Sequence, residues 1–240
     1  MRNTLLIRGT LGVAAFALAA TACGSSGTAA TGNSSPSVSP SVHSMAPSPA
    51  AGSLTDTAAA QLYAGLDQLL REHVDLTANV VQTAITKGPS SAGTKAALAA
   101  LDQNTQGLGA AIGSVYGAAA QKQFLKLWRA HIGFFVNYTL GVAGHNSKKV
   151  ATAQHDLAGY TKQFSEFIAG ATKLPAPAVA ADLKGHVSTL ETAINAIVAG
   201  RPKASADLLM AENHMAGTGA VLAQGIASSM PSKLNSSPGM

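Results

Sequence analysis

Three glycines that interrupt otherwise helix-favouring sequence set the strongest limit on how this chain can fold. Gly88, Gly144 and Gly200 are separated by 56 residues in each case. Each follows a long segment rich in Ala, Leu, Gln and Lys, which favour helices. Each also stands where a helix would end with a left-handed C-cap glycine. Because equal spacing of such positions is typical of internal repeats, we predict an all-α fold built from pseudo-repeats of about 56 residues.

Further breakers divide the sequence between these glycines. Pro89, Gly117, Pro175 with Pro177, and Pro202 lie at or near the expected ends of helical segments. The segments themselves carry apolar residues at helical spacing and lack the sustained alternation of strands. They predict six helices, at about 54–87, 91–116, 118–143, 147–172, 177–199 and 203–229. Taken in pairs, these helices form three αα-hairpins in one helical bundle.

The first residues are typical of an export signal. Arg2 and Arg8 form a basic start, and residues 11–20 are an apolar stretch too short to span a bilayer. Small residues then lead to Cys23, the only cysteine in the chain, as in a lipobox, although Ala20 stands where a lipobox usually has Leu. We predict a lipoprotein signal peptide at 1–22 and a lipid on Cys23. The exported protein would then be anchored to the outer face of the cytoplasmic membrane.

The composition changes between the lipidation site and the first helix. Residues 24–53 consist mainly of Ser, Pro, Gly and Ala without apolar periodicity, so they cannot form a core. We predict a disordered tether at 23–53 that carries the lipidated cysteine, a helical domain at 54–230 and a flexible tail at 231–240. The formal net charge of +5 is scattered along the chain, and we expect no nucleic-acid partner. The membrane is the expected partner, through the lipid, and the sequence names no protein partner.

A short histidine motif recurs in approximate register with the glycines. Its form is a basic residue, any residue, His and a β-branched residue, at 71–74, 129–132 and 184–187. Its histidines fall on the apolar stripes of the first, third and fifth predicted helices. A fourth histidine lies on the apolar side predicted for the sixth helix. The four histidines expected to face the core are His73, His131, His186 and His214. The three expected to lie elsewhere are His43, His145 and His155.

Buried imidazoles need partners, because burial disfavours the charged form and an unpaired ring nitrogen costs free energy. One interpretation is packing, in which Tyr138, Tyr160, Asn104 or a backbone carbonyl supplies the hydrogen bonds. The domain would then be a metal-free structural or protein-interaction module.

The other interpretation is a metal site shared by several helices. The predicted ligands are the four core-facing histidines, with Met210 and Met215 as candidate further ligands beside His214. These faces are rich in nitrogen and poor in carboxylates, a ligand set that suits copper, with zinc as the alternative.

Signatures of catalysis are absent from the sequence. It contains no Gly-x-Ser-x-Gly elbow and no phosphate-binding loop. The Glu-x-x-His pairs of di-iron helical bundles are absent as well. We therefore expect metal sequestration or handling rather than an enzyme.

One segment resembles a known family. The sequence LWRAHIGFFVNYT at 127–139, with 112–117 before it and 156–160 after it, resembles exported helical proteins of Gram-positive bacteria. Some members of that family are loosely labelled as copper amine oxidase-like. The resemblance covers about residues 60–230 and implies helical repeats and a link to copper. It implies no oxidase activity, because those oxidases have a large β-rich catalytic domain and an acidic residue after the cofactor tyrosine, where this chain has Thr139.

Overall fold

Helices account for most of residues 57–234, the part of the chain that the structure, a computed structural model, describes. No strand occurs within that range, so the predicted all-α bundle is confirmed. The helices are α1 (Ala58–Lys87), α2 (Ala92–Tyr116), α3 (Ala118–Ala143), α4 (Ser147–Thr172), α5 (Ala176–Val198), α6 (Ala204–Ser229) and the short α7 (Pro231–Leu234).

Several predictions concern residues outside this range. The signal peptide at 1–22, the lipid on Cys23 and the tether to residue 53, with His43 in it, all lie outside the described residues. They stay predictions. Within 57–234, none of the helices combines the length and the apolar character needed to cross a bilayer.

Side-chain caps fix where three of the helices begin. Thr57 accepts a hydrogen bond from the backbone N–H of Ala60, and Ser91 and Asn146 do the same at the starts of α2 and α4. Such caps satisfy N–H groups that have no partner inside the helix. The predicted bounds of the six long helices are therefore close to the observed ones.

The predicted flexible tail begins too early. Residues 231–234 form α7, which packs against α1 and α6 and buries Leu234. Lys233 also donates a hydrogen bond from Nζ to the backbone carbonyl of Val115. Burial of one apolar side chain and this contact hold the segment, and neither is visible in the local sequence.

The predicted left-handed glycine at the helix end is found at Gly200, which has a φ of 61°. Gly88 has a positive φ of 92° but an extended ψ of 148°, and Gly144 has a φ of −89°. At the end of α3 the left-handed conformation falls one residue later, on His145, with a φ of 52°. The backbone N–H of Asn146 donates to the carbonyl of Gly141, which closes a Schellman-type ending around His145.

The six long helices close into a ring. Each packs against its neighbours in the chain, and α6 also packs along α1. Short connections reverse the chain direction after each long helix, so α1, α3 and α5 run in the same direction. These three helices also contact one another across the interior. The predicted hairpin pairs are therefore parts of a closed bundle, and their common origin stays a prediction.

Candidate metal centre

Three of the predicted ligands meet in the interior of the bundle. His73 on α1, His131 on α3 and His186 on α5 each offer a ring nitrogen, and these nitrogens lie within 4.8 Å of one another. We call these three residues the histidine cluster. They converge because each lies 13 to 15 residues before the glycine at the end of its helix. Parallel helices with such similar offsets place the three side chains at about the same level of the bundle.

The spacing of the cluster is close to that of a metal site. The Nε2 atoms of His73 and His131 are 3.4 Å apart. Nitrogens bound about 2.0–2.1 Å from one ion lie about 3.3–3.6 Å apart in tetrahedral or trigonal geometry. The pair already falls in that range, and the 4.8 Å limit on the cluster exceeds it by roughly 1 Å. Small side-chain rotations would close that difference.

Burial keeps the three imidazoles neutral. Their exposed fractions are 1%, 0% and 2% for His73, His131 and His186. Desolvation lowers the pKa of His73 to about 4 and that of His186 to about 3. Desolvation also holds the pKa of His131 well below its usual value, and the neighbouring histidines lower it further. Metal ligation requires neutral imidazole, so the cluster needs no deprotonation at neutral pH.

Within residues 57–234, hydrogen bonding to protein groups leaves the cluster largely unsatisfied. His73 Nδ1 has no partner there, and neither ring nitrogen of His186 has one. The contact between the His73 and His131 Nε2 atoms, at 3.4 Å, lies at the outer limit of a hydrogen bond. Buried donors and acceptors in this state cost free energy. A bound ion would satisfy one nitrogen of each ring.

Aromatic rings enclose the histidines. The Tyr160 ring stacks on His131 with a centroid separation of 4.7 Å and an interplanar angle of 19°. Trp128 lies 4.9 Å from His73 and 4.6 Å from His131. Phe135 contacts the edges of His131 and His186. The candidate metal group found in the described residues contains histidines alone and no carboxylate.

The structure does not place His214 with the other three. Its Nε2 forms a hydrogen bond of 2.9 Å with the backbone carbonyl of Asp182 and lies 3.7 Å from the Asp182 carboxylate. The physical reason is the orientation of α6, which buries Ala211, Met215 and Thr218 and turns His214 partly to solvent. The prediction of a fourth histidine ligand is therefore corrected to a cluster of three.

The two methionines named as candidate further ligands lie in different environments. Met210 is 56% exposed, so it cannot reach the buried cluster. Met215 is buried and lines a cavity that His186 also lines.

The histidines predicted to lie away from the core behave as expected where they are described. His155 on α4 and His145 after α3 are both exposed. The apolar stripe therefore separated inward from outward histidines correctly on α1, α3, α4 and α5.

Sequence reasoning missed two features of the site. The first is the stacking of Tyr160 on His131, because Tyr160 was expected to supply a hydrogen bond to a buried histidine. The second is Gly185, where an added Cβ would lie 2.6 Å from the His214 ring. The second motif position is Glu72 or Ala130 in the other two copies. The glycine at this position of the third motif copy was the signal in the sequence that another side chain, that of His214, packs against α5 at Gly185.

Comparison with known proteins gives no independent indication of what the histidine cluster does. No protein-family model, curated protein or solved structure matches the chain. The resemblance carried by residues 127–139 thus stays an expectation, and the function has to be argued from the histidine cluster itself.

Proposed function

We propose that the histidine cluster binds one metal ion and that the protein sequesters or handles this metal without catalysis. The observation that carries the proposal is the convergence of three neutral, buried imidazoles from three helices, with ring nitrogens within 4.8 Å of one another. A polar group buried without partners is rarely kept in a core. Three such groups at one point are accounted for by a shared ligand.

Copper is the metal that we propose, with zinc as the alternative. Imidazole suits both ions, whereas calcium, magnesium and manganese favour oxygen ligands. Glu72, the carboxylate nearest in sequence to His73, is exposed and accepts a hydrogen bond from Asn104. The side chains that enclose the histidine cluster are aromatic, and they do not provide the several oxygen ligands that these three ions favour.

A second candidate function is a metal-free structural module. The stacking of Tyr160 on His131 and the edge contacts of Phe135 favour it, because aromatic rings and neutral imidazoles pack well together. In that case the repeated histidines are repeated packing contacts, and the protein acts through a partner on its surface.

Metal content and metal titration separate the two candidates. The full chain is purified without a histidine tag and compared with His131→Ala, with the exposed His155→Ala as the matched control. We expect about one copper per chain in the parent and in His155→Ala, and none in His131→Ala while its helicity persists. Absence of stoichiometric copper or zinc in the parent would support the packing module.

We also propose that the protein is lipid-anchored outside the cytoplasmic membrane through Cys23. The order of basic start, short apolar stretch and lone cysteine supports this. Cys23→Ala should move the protein from the membrane fraction to the medium or leave its signal uncleaved, and should abolish labelling by radioactive palmitate. Membrane attachment and labelling that persist in Cys23→Ala would contradict the anchor.

A further inference from the structure

A cavity beside the histidine cluster is suited to a small organic molecule. It has a volume of about 210 Å³ and lies between α4, α5 and α6, with Trp128 of α3 in its wall. His186 lines it as well. An apolar cavity of about 150 Å³ is large enough to hold benzene. The cavity can therefore hold a six-membered ring with a short substituent.

The wall is apolar apart from a few polar groups at identifiable places. Phe164, Leu183 and Met215 are typical of the lining. The exposed lining residues Pro175, Ala178 and Val221 mark its opening between the start of α5 and α6. Water would find few partners on such a wall, so an apolar ligand is favoured over a group of waters.

Two side chains in the wall of the cavity carry polar groups that have no hydrogen-bond partner within the described residues. His186 has no hydrogen-bond partner on either ring nitrogen, and the indole N–H of Trp128 has none within the described residues. Both side chains are buried and both line the cavity. A rotation of the His186 ring that turns one nitrogen toward the cavity would let a hydroxyl or carbonyl on the ligand satisfy it.

The charge of the lining limits the ligand further. Asp182 is its only charged side chain, and its carboxylate accepts a 2.7 Å hydrogen bond from Thr218. An anionic ligand would meet this carboxylate near the opening, whereas a neutral one would not.

We propose that the cavity binds a small, neutral, mainly apolar molecule whose single hydroxyl or carbonyl group pairs with His186. This site does not depend on a bound metal. If one ring nitrogen of His186 ligates an ion, the other remains able to pair with the ligand.

Three probes that share one ring test the proposal. Cyclohexylmethanol carries the hydroxyl, methylcyclohexane lacks it, and cyclohexanecarboxylate replaces it with a charge. Because Trp128 is the only tryptophan and lines the cavity, its fluorescence reports binding directly. Titrations use the full chain after treatment with a chelator, so that failure of the proposed metal site does not affect the result. Calorimetry provides a second measure of the dissociation constants.

We expect cyclohexylmethanol to bind roughly tenfold more tightly than either of the other probes. His186→Leu should bring the alcohol and the hydrocarbon to within about twofold of each other, and His155→Leu should change neither. Ala178→Phe, at the exposed opening, should weaken all three probes by roughly tenfold while the helicity is kept. The proposal is overturned if the parent binds no probe, if it binds the alcohol no more tightly than the hydrocarbon or the carboxylate, or if Ala178→Phe changes nothing.

Discussion

Both ring nitrogens of His186 are buried without a hydrogen-bond partner in the described part of the chain. In the metal-free protein, His186→Leu removes these unsatisfied groups and keeps a side chain of similar size. We expect the free energy of unfolding to rise by about 1–3 kcal/mol. With copper bound, the same substitution should lower it, because a ligand is lost. Urea unfolding with chelator and with copper measures both effects.

The matched control for this prediction is His155→Leu. Because His155 is exposed on α4, this substitution should change the free energy of unfolding by no more than about 0.5 kcal/mol under either condition. Destabilisation of the metal-free protein by His186→Leu would mean that a polar partner satisfies this ring, which would speak against its role as a metal ligand.

The lowered pKa values of the cluster make stability depend on pH. A histidine whose folded pKa lies below its unfolded value of 6.5 binds a proton mainly in the unfolded state. Its contribution is therefore fully present above pH 6.5 and is lost as the pH falls toward about 4 for His73 and about 3 for His186. We expect the metal-free protein to lose several kcal/mol between pH 7 and pH 4.5.

Urea unfolding at a series of pH values checks this dependence. The double variant His73→Leu/His186→Leu should show a much flatter profile than the parent. A parent profile as flat as that of the double variant would show that these imidazoles titrate normally in the folded protein.

At the scale of single residues, the sequence predicted the cluster well. The apolar stripe identified His73, His131 and His186 as inward-facing, and their motif placed them in register. It failed for His214, because α6 is rich in Ala and Gly and its apolar residues do not define one face. Which side of such a helix is buried depends on its packing against α1 and α5, and this is not encoded by local periodicity.

Replacement by alanine should have opposite effects on stability at two glycines of α3, Gly133 and Gly141. A Cβ on Gly133 meets no atom within 4 Å, whereas a Cβ on Gly141 would lie 2.9 Å from the backbone nitrogen of Val150. Gly133→Ala should stabilise the protein by about 0.5–1 kcal/mol, because alanine favours the helix. Gly141→Ala should destabilise it by about 1–3 kcal/mol, because backbone of α4 would have to move.

Thermal unfolding of the two variants gives a direct comparison within one helix. The melting temperature should rise for Gly133→Ala and fall for Gly141→Ala. Equal changes in both variants would contradict the close approach of α3 and α4 at Gly141.

At the scale of helices, ends were predicted slightly better than starts: five of the six long helices end at the predicted residue, and two of the six begin there. The N-cap residues Ser91 and Asn146 act locally, and the predicted starts of α2 and α4 lie within one residue of the observed ones, whereas α1 begins only at Ala58, after its cap Thr57. The end of α3 at residue 143 was predicted correctly, but the left-handed residue was expected at Gly144 and lies at His145, because the hydrogen bond from the Asn146 N–H to the Gly141 carbonyl closes the turn there. Such a bond depends on how the chain turns into α4, not on the glycine alone.

At the scale of the whole molecule, the alternation of direction explains why a cluster forms at all. The intervals of 58 and 55 residues between the three histidines return each histidine motif to a helix of the same direction and to a similar level of the bundle. Contacts among α1, α3 and α5 then bring the three histidine side chains together. The sequence could not show that α6 closes the ring on α1, or that a cavity is left beside His186, since both depend on packing between distant segments.

The coordination of bound copper tests the central claim most directly. X-ray absorption at the copper edge is measured on the full chain after loading with one equivalent and removal of the excess. We predict three imidazole nitrogens about 2.0 Å from the ion, and loss of this signal in His131→Ala but not in His155→Ala. A chain that retains no copper, or copper surrounded mainly by oxygen and unaffected by His131→Ala, would contradict a metal site at the histidine cluster.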